Sequence, residues 1–424
     1  MRDRESYEQI RQLAEAAPAD FWGPVARRTL HWYRAEQTAW LSHSDAEWCW
    51  VGLHACTGEP ARLADEWSPW VACVDESDAT FVRSFAGGST NAAFSELDRH
   101  VLRGQGVTAF ISDSGEVHDA TKLSELLLES VLAAGALTAD YGLTSGQRVA
   151  FYLPNDARAV TWIEAAKRLG VPYVAVASGT ASASLASRLE DTGAAALLTS
   201  EGLIPLAQEA RELMALPVVG LIAPPTEQPP VEGWQPVLSA LQRARARLDL
   251  DLSSRESVES LPPEALVCAL WRLAKPLPVA ATHPLFVLYT SGSTGKPKGI
   301  VHTHGGYQVG LCLTCEVVFQ LEPSADVFLV IATPGWITGQ SCAAPGSLEP
   351  RPPASASRHH THPPSPSRRA FWLRNAPHPP NHPTTLLPQP QPPNPTLKPH
   401  PSRRLLPNNP LPLHHQTPTL AAGT

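Results

Sequence analysis

Between Leu123 and Ile222 one pattern repeats: a helix-length amphipathic stretch, then a short run of consecutive apolar residues. Leu123 to Ala136 places leucines at 123, 126 and 127 and a valine at 131 on one helical stripe. Val149-Ala-Phe-Tyr-Leu153 follows and stops at Pro154. Ala157 to Leu169 is again helical, closed by Gly170 and Pro172, and Tyr173-Val-Ala-Val-Ala177 is the next apolar run. Helical Leu185 to Asp191 leads to the strand-like Ala195-Ala-Leu-Leu-Thr199, and helical Gln208 to Leu213 to Val218-Val-Gly-Leu-Ile222. Apolar runs without polar alternation fit strands buried on both faces. Alternation of such strands with helices implies a parallel sheet covered on two sides. The fold class is therefore α/β, with parallel-rich sheets under helices.

The flanks differ from this centre. The first hundred residues hold seven of the twelve tryptophans, at 22, 32, 40, 48, 50, 67 and 70, and a helical spacing from Tyr7 to Ala16. Phe21-Trp22 and Trp32-Tyr33 read as aromatic anchors of an extended cap. Residues 224–262, rich in Pro, Arg, Asp and Ser, read as a surface excursion. Asp326-Val-Phe-Leu-Val-Ile-Ala-Thr333 is a buried-strand pattern, and coherent sequence runs on through Gly335-Trp-Ile-Thr-Gly-Gln-Ser341. From Ala343 to Thr424 the character changes: this stretch holds 22 of the 43 prolines and 8 of the 16 histidines. It carries eight basic residues against one acid, Glu349, a net +7, so residues 1–342 carry −14 of the total −7. Such a composition cannot bury enough surface to offset chain entropy, and disorder is expected across 343–424. A splice or frame error in mid-domain is the favoured origin; the alternative is a proline-rich tail able to recruit SH3- or WW-type partners.

Charge and hydropathy narrow the class. A net −7 argues against a nucleic-acid binder. No run approaches the roughly 18 apolar residues of a membrane span, and Met1-Arg-Asp-Arg-Glu-Ser-Tyr7 carries no signal-peptide core. Seven irregularly spaced cysteines point to reduced thiols, and the expected location is cytoplasmic.

The chemistry concentrates in one loop. The apolar strand Leu285-Phe-Val-Leu-Tyr-Thr290 feeds Ser291, Gly292, Ser293, Thr294, Gly295, Lys296, Pro297, Lys298 and Gly299, then Ile300-Val-His-Thr-His304. Glycines let successive N–H groups approach one oxyanion, while Thr290 and the hydroxyls add donors. Lys296 and Lys298 supply charge; an ammonium ~4 Å from a phosphate at an effective dielectric near 20 gains ~4 kcal/mol before desolvation. Two residues, not four, separate Gly292 from Gly295-Lys296, so this is not a Walker loop. A Rossmann fingerprint is likewise missing from this loop.

Tyr289 through Tyr307 closely resembles the phosphate-loop signature of adenylate-forming (AMP-binding) enzymes of the acetyl-CoA and propionyl-CoA synthetase type. Phe21-Trp-Gly with Trp32 is similar to that group's N-terminal cap, and Gly88-Ser-Thr-Asn91 with Leu97-Asp-Arg-His100 to its entry into the main domain. Gly335-Trp-Ile-Thr-Gly339 resembles its acyl-pocket motif. The stretch around Ala177-Ser-Gly-Thr-Ala181 is similar to the synthetase portion of trifunctional propionyl-CoA synthases. The resemblance implies a cap at 1–100, a partial AMP-binding domain at 101–342 and an unrelated tail at 343–424. It implies ATP and Mg²⁺ as needs of the first step and CoA as co-substrate of the second. A short carboxylate becomes an acyl-adenylate and then an acyl-CoA. Thr290 to Thr294 with Lys296 and Lys298 would hold the β- and γ-phosphates, and Trp336, Ile337 and Thr338 would wall the acyl pocket.

Departures accompany the match. The family's adenine contacts, Tyr-Gly-x-Thr-Glu-type Mg²⁺ glutamate, ribose aspartate and adenylation lysine are not found in 343–424, where Lys398 is the sole lysine. Paired CoA arginines would fall near Glu201-Gly-Leu-Ile-Pro205, which has none. The expectation is a ligase by family whose 424-residue chain is inactive; the alternative is a nucleotide-binding pseudoenzyme or an interaction protein with a proline-rich tail. No catalytic residue and no metal ligand is assigned. Cys312-Leu-Thr-Cys315 reads as buried thiols in a packed helix, Asp98 and His100 as structural, and His304 as solvated beside His302.

Overall fold

The computed structural model describes residues 4–34, 68–78, 80–104, 108–113, 118–215, 217–228, 231–248, 250, 252, 254–290, 297–321, 329–330, 332–342 and 372–374. Trp372–Arg374 is thus the one described part of the segment expected to be disordered; the rest of 343–424 lies outside the described residues, as do Trp40, Trp48, Trp50, Trp67 and Asp326–Phe328.

The N-terminal segment comes first. Helix α1 (Arg4–Ala16) and helix α2 (Pro18–Thr29) precede strands β1 (Ala72–Asp75), β2 (Arg83–Ala86) and β3 (Ser89–Thr90). Trp32, Trp70 and Phe85 pack at ring separations of 5.0–5.4 Å, and the Trp32 indole donates to Ala26 O at 2.9 Å. Ala281, Val309 and Cys312 join this cluster, so the aromatic anchors bury against the later part of the chain. A π-turn at Phe94–Asp98 and helix α3 (Arg99–Leu102) lead to the hairpin β4 (Thr108–Asp113) and β5 (His118–Lys122).

The centre alternates as its periodicity predicts. Helix α4 (Leu123–Ala139) is buried along nearly its whole length. Then come β6 (Val149–Leu153), α5 (Ala157–Leu169), β7 (Tyr173–Ala177), α6 (Ser182–Thr192), β8 (Ala196–Thr199), α7 (Ile204–Leu213) and β9 (Val219–Ile222). Local chemistry sets the ends of α5: the Asp156 carboxylate accepts from Ala159 N at its start, and Gly170 takes φ 62° at its close, where a side chain would be strained. Gly193 ends α6 in the same left-handed way.

Residues 224–262 are not a surface excursion. They contain β10 (Trp234–Pro236), which pairs parallel to β9, together with α8 (Leu238–Ala246) and α9 (Arg255–Ser260). Three residues ending in proline make too short a run to stand out in sequence, yet an edge strand tolerates them. Helix α10 (Pro263–Ala274), β11 (Val279–Ala280), β12 (Pro284–Thr290), β13 (Lys298–Thr303), helix α11 (His304–Leu313), a π-turn at Thr314–Val318, β14 (Leu329–Val330), α12 (Ile337–Cys342) and β15 (Trp372–Arg374) complete the order.

The main sheet runs β10-β9-β8-β6-β7-β12-β13. Its strands are parallel except β13, which returns antiparallel along the edge. Alternating side chains supply two cores. Phe151, Tyr173, Ala175, Phe286 and Leu288 pack with α4, α5 and α10 on one face; Tyr152, Val174, Val176 and Leu197 pack with α6 and α7 on the other. A smaller sheet, β14-β15-β4-β5, lies alongside. Cys73, Cys312 and Cys315 are buried and outside any disulfide, as expected, whereas Cys268 is disulfide-bonded against the expectation of reduced cysteines. Among the described residues no helix is long and apolar enough to cross a membrane.

Candidate functional site

The chain leaves β7 toward α6 and β8 on one side of the sheet, and leaves β12 toward β13 on the other. Opposite departures from neighbouring parallel strands open a crevice at their carboxyl ends, the usual ligand position in such sheets. Both motifs singled out in the sequence come to this edge.

The phosphate-type loop closes the β12–β13 hairpin. Thr290 pairs with Lys298, Tyr289 with Gly299 and Leu288 with Ile300. The connection is therefore 291–297, and Lys298 and Gly299 are strand residues rather than part of the loop as expected. The cause is the ladder, which continues to Thr290 and captures the first residues beyond Pro297. Thr290, Lys298 and Gly299 are exposed. Ser291, Gly292, Ser293, Thr294, Gly295 and Lys296 lie outside the described residues. A Cβ on Gly299 would sit 3.0 Å from Val287 and 3.3 Å from the Tyr289 ring, so glycine lets β13 lie close over that ring. The Tyr289 hydroxyl donates to Asp191 at 2.5 Å; burial first, and then this bond, raise the phenol well above its ordinary value.

Beneath the hairpin three rings lock together. Phe286 stacks on His302 at 4.6 Å and meets Tyr307 edge-on at 4.7 Å, and His302 lies 5.2 Å from Tyr307. Half-burial lowers the His302 pKa, favouring the neutral ring. His304 is not solvated. It is 1% exposed, its Nδ1 accepts from Ala92 N at 3.2 Å, and burial followed by the nearby His283 and Lys167 brings it down to about 3. It starts α11, and the hairpin turns it inward, which linear spacing from the loop could not reveal.

The acyl-type motif forms a turn and the short helix α12. Trp336 N donates to Thr333 O and Gln340 N to Trp336 O, both at 3.0 Å. Two glycines make the turn possible. A Cβ at Gly335 would lie 2.4 Å from Ala177 N at the end of β7, and one at Gly339 only 1.9 Å from Thr333 O. Trp336 is 68% exposed and Ile337 43%, with Thr338 exposed as well. The indole is therefore not a core residue, and all three side chains stand open to solvent.

Sequence reasoning missed the polar groups underneath. Gln340 is buried; it accepts from the Tyr173 hydroxyl at 2.7 Å and donates to Pro334 O at 2.6 Å. The Tyr307 hydroxyl and Ser341 Oγ are 2.8 Å apart. Deeper, Lys167 Nζ donates to Glu96 and to Glu164, each at 2.7 Å, and Gln308 donates to Glu96. Glu164 is pushed up to about 8, first by burial and then by the charge of Glu96. Asp98 is structural, as expected: Arg168 grips it through two bonds of 3.0 and 2.6 Å, and the Trp271 indole donates to it at 2.6 Å.

Other concentrations of functional groups resolve into structure. A cavity of about 360 Å³ beside Arg148, Asp191 and His283 has those three side chains already bonded, to Thr192 O, Tyr289 and Gly170 O. No group of three His, Cys, Asp or Glu able to hold a metal occurs among the described residues.

Residues 97–348 match the model of the AMP-binding enzyme family. The acetyl-coenzyme A synthetase of Mycobacterium bovis is 38% identical over 291 residues, covering 66% of this chain and 42% of that protein. That of Ralstonia pickettii is 33% identical over 312 residues, 71% and 44% of the two chains. That of Paraburkholderia phymatum is 31% identical over 358 residues, 81% and 45%. The chain spans less than half the length of these curated relatives.

Proposed function

This chain belongs to the AMP-binding enzyme family, and on that premise we propose that its carboxyl-edge site serves the activation of a short carboxylate by ATP. In this reading a carboxylate oxygen attacks the α-phosphorus, pyrophosphate leaves, and an acyl-adenylate forms. In the second step the CoA thiolate attacks the acyl carbon and AMP departs.

The observation that carries the proposal is the hairpin register, Thr290 opposite Lys298. It anchors both ends of a Ser/Gly/Lys loop at the carboxyl edge while the turn at Gly335 abuts β7 there. Two anions must meet for the first step, so fixed cations and N–H donors at this edge lower the repulsion. Thr290, Ser291, Gly292, Ser293, Thr294, Gly295, Lys296, Lys298 and Gly299 are proposed to bind the β- and γ-phosphates. Trp336, Ile337 and Thr338 are proposed to meet the acyl chain, their exposed side chains closing over a small group. Mg²⁺ would travel with the triphosphate; the described residues offer no cluster to hold it.

Residues 343–424 contain one lysine, Lys398, and no Tyr-Gly-x-Thr-Glu-type segment. We therefore propose that this 424-residue chain binds nucleotide without completing turnover by itself. Calorimetry with magnesium-ATP and acetate-dependent ATP–pyrophosphate exchange test both parts. Binding heat that K296A and K298A weaken, with no exchange, is the expected result. Absence of heat refutes the phosphate assignment, and exchange by the purified chain refutes the proposed incapacity.

A further inference from the structure

The acyl-type turn is not held by the side chains of its motif. Trp336, Ile337 and Thr338 face outward, so something else fixes their height above the sheet. Tyr173, Ala175 and Ala177 share one face of β7 because strand side chains alternate. The turn and α12 lie along this face. Gly335 abuts Ala177 at the strand's end, with room for no larger residue. Five residues later, Gln340 reaches Tyr173 at the strand's start.

Gln340 satisfies both ends of its amide there. Its Oε1 accepts from Tyr173, and its Nε2 returns to Pro334 O, the carbonyl just before Gly335. The tyrosine is fully buried, and burial raises its pKa well above the ordinary value, so its hydroxyl stays a donor. One side chain therefore ties the first residue of the turn to the middle of the sheet. A second tie, Tyr307 to Ser341, fastens the same helix to α11, whose Tyr307 ring packs on Phe286 and His302 of the phosphate hairpin.

We infer that Tyr173 and Gln340 form a positioning brace that sets the acyl-recognition turn, and that acyl-chain selectivity depends on this brace as well as on Trp336, Ile337 and Thr338. The inference rests on the acyl assignment proposed above. Neither residue contacts the ligand in this scheme; they act through Pro334 and Gly335. Without the brace the turn loses its fixed distance from β7, and the space left for an acyl group is no longer limited to a short chain.

The test uses the full 424-residue chain labelled with 5-fluorotryptophan. The ¹⁹F signal of Trp336 is assigned by its loss in W336F, then followed in Y173F and Q340L. The expected result is a shifted or broadened Trp336 signal in both variants with the other tryptophan signals in place. The double variant should equal either single one, because both remove the same brace. Calorimetry with the ethyl and butyl esters of AMP supplies the second readout. The wild-type preference for the ethyl ester should fall at least fivefold in each variant, with ATP affinity kept within twofold. Should Q340L fail to fold, Y173F, which removes only the hydroxyl that donates to Gln340, carries the test alone, and the same shift is expected. A Trp336 signal identical to wild type in the folded variants overturns the inference. A wild-type chain that binds the two esters equally refutes the acyl assignment instead, while a moved Trp336 signal still supports the brace.

Discussion

Replacing Glu164 by glutamine should flatten part of the pH dependence of stability, and the size of the effect follows from its surroundings. Glu164 is fully buried, one oxygen accepts from Lys167, and the other has no partner. Burial and the charge of Glu96 carry its pKa from 4.5 to about 8. A proton on the orphan oxygen turns it into a donor, which removes both penalties at once. The folded chain thus holds a proton that the unfolded chain releases near 4.5. Its stabilisation is complete below that pH, declines as pH rises, and is gone once pH passes about 8. At 1.36 kcal/mol per pH unit the whole window is worth about 5 kcal/mol, and the span from about pH 5.5 to 8 about 3 kcal/mol. Lys167 is raised well above its ordinary value and stays charged throughout. His31 and His304, both held near 3 by burial, act with the opposite sign at the acid end, but equally in both proteins. The glutamine amide of E164Q copies the protonated carboxyl in shape and donor capacity and cannot titrate. Urea unfolding followed by tryptophan fluorescence at pH 5.5 and 8.5 measures the difference. Wild type should lose about 3 kcal/mol relative to E164Q over that interval. Parallel stability profiles for the two proteins would refute the reasoning.

Further perturbations separate scaffold from site. D98N leaves the buried Arg168 guanidinium without its carboxylate, so urea unfolding should show a loss of about 3–5 kcal/mol. G335A places a methyl 2.4 Å from Ala177 N; the turn must move, and chemical denaturation should register about 1–3 kcal/mol of overpacking. K298A removes an exposed cation, so the melting temperature should hold while the calorimetric Kd for magnesium-ATP rises about 10- to 100-fold, the worth of one charge-assisted bond.

Legibility of the fold followed the strength of local signals. Strands β6 to β9 and helices α4 to α7 emerge from periodicity because each buries a continuous face, and the Asp156 cap and Gly170 stop mark their ends chemically. β10 escaped because Trp234 is its one buried apolar anchor and Pro236 argues against a strand except at an edge. The reversal at β13 escaped for a different reason. Alternation predicts parallel strands, but seven residues are too few for a helical crossover, and a connection that short returns antiparallel.

The site divides along the same line. Loop chemistry is local: glycines, hydroxyls and lysines in one run are enough to propose a phosphate grip, whatever surrounds them. Side-chain environment is not local. His304 and His302 are two residues apart, yet one is buried against Ala92 and the other stacks half-buried on Phe286, because a strand ends and a helix begins between them. Gln340 carries no motif signal at all, and its role depends on Tyr173, 167 residues away in sequence. Glu96, Glu164 and Lys167 likewise gain meaning only when α5 and the π-turn bring them together. Buried polar contacts of this kind cost desolvation and return it only if every partner is in place. A turn whose own side chains face water, as at Trp336 to Thr338, therefore depends on groups that no motif contains. Substitutions at Tyr173 or Gln340 should alter ligand selection while every residue of the Gly335–Gly339 motif remains unchanged.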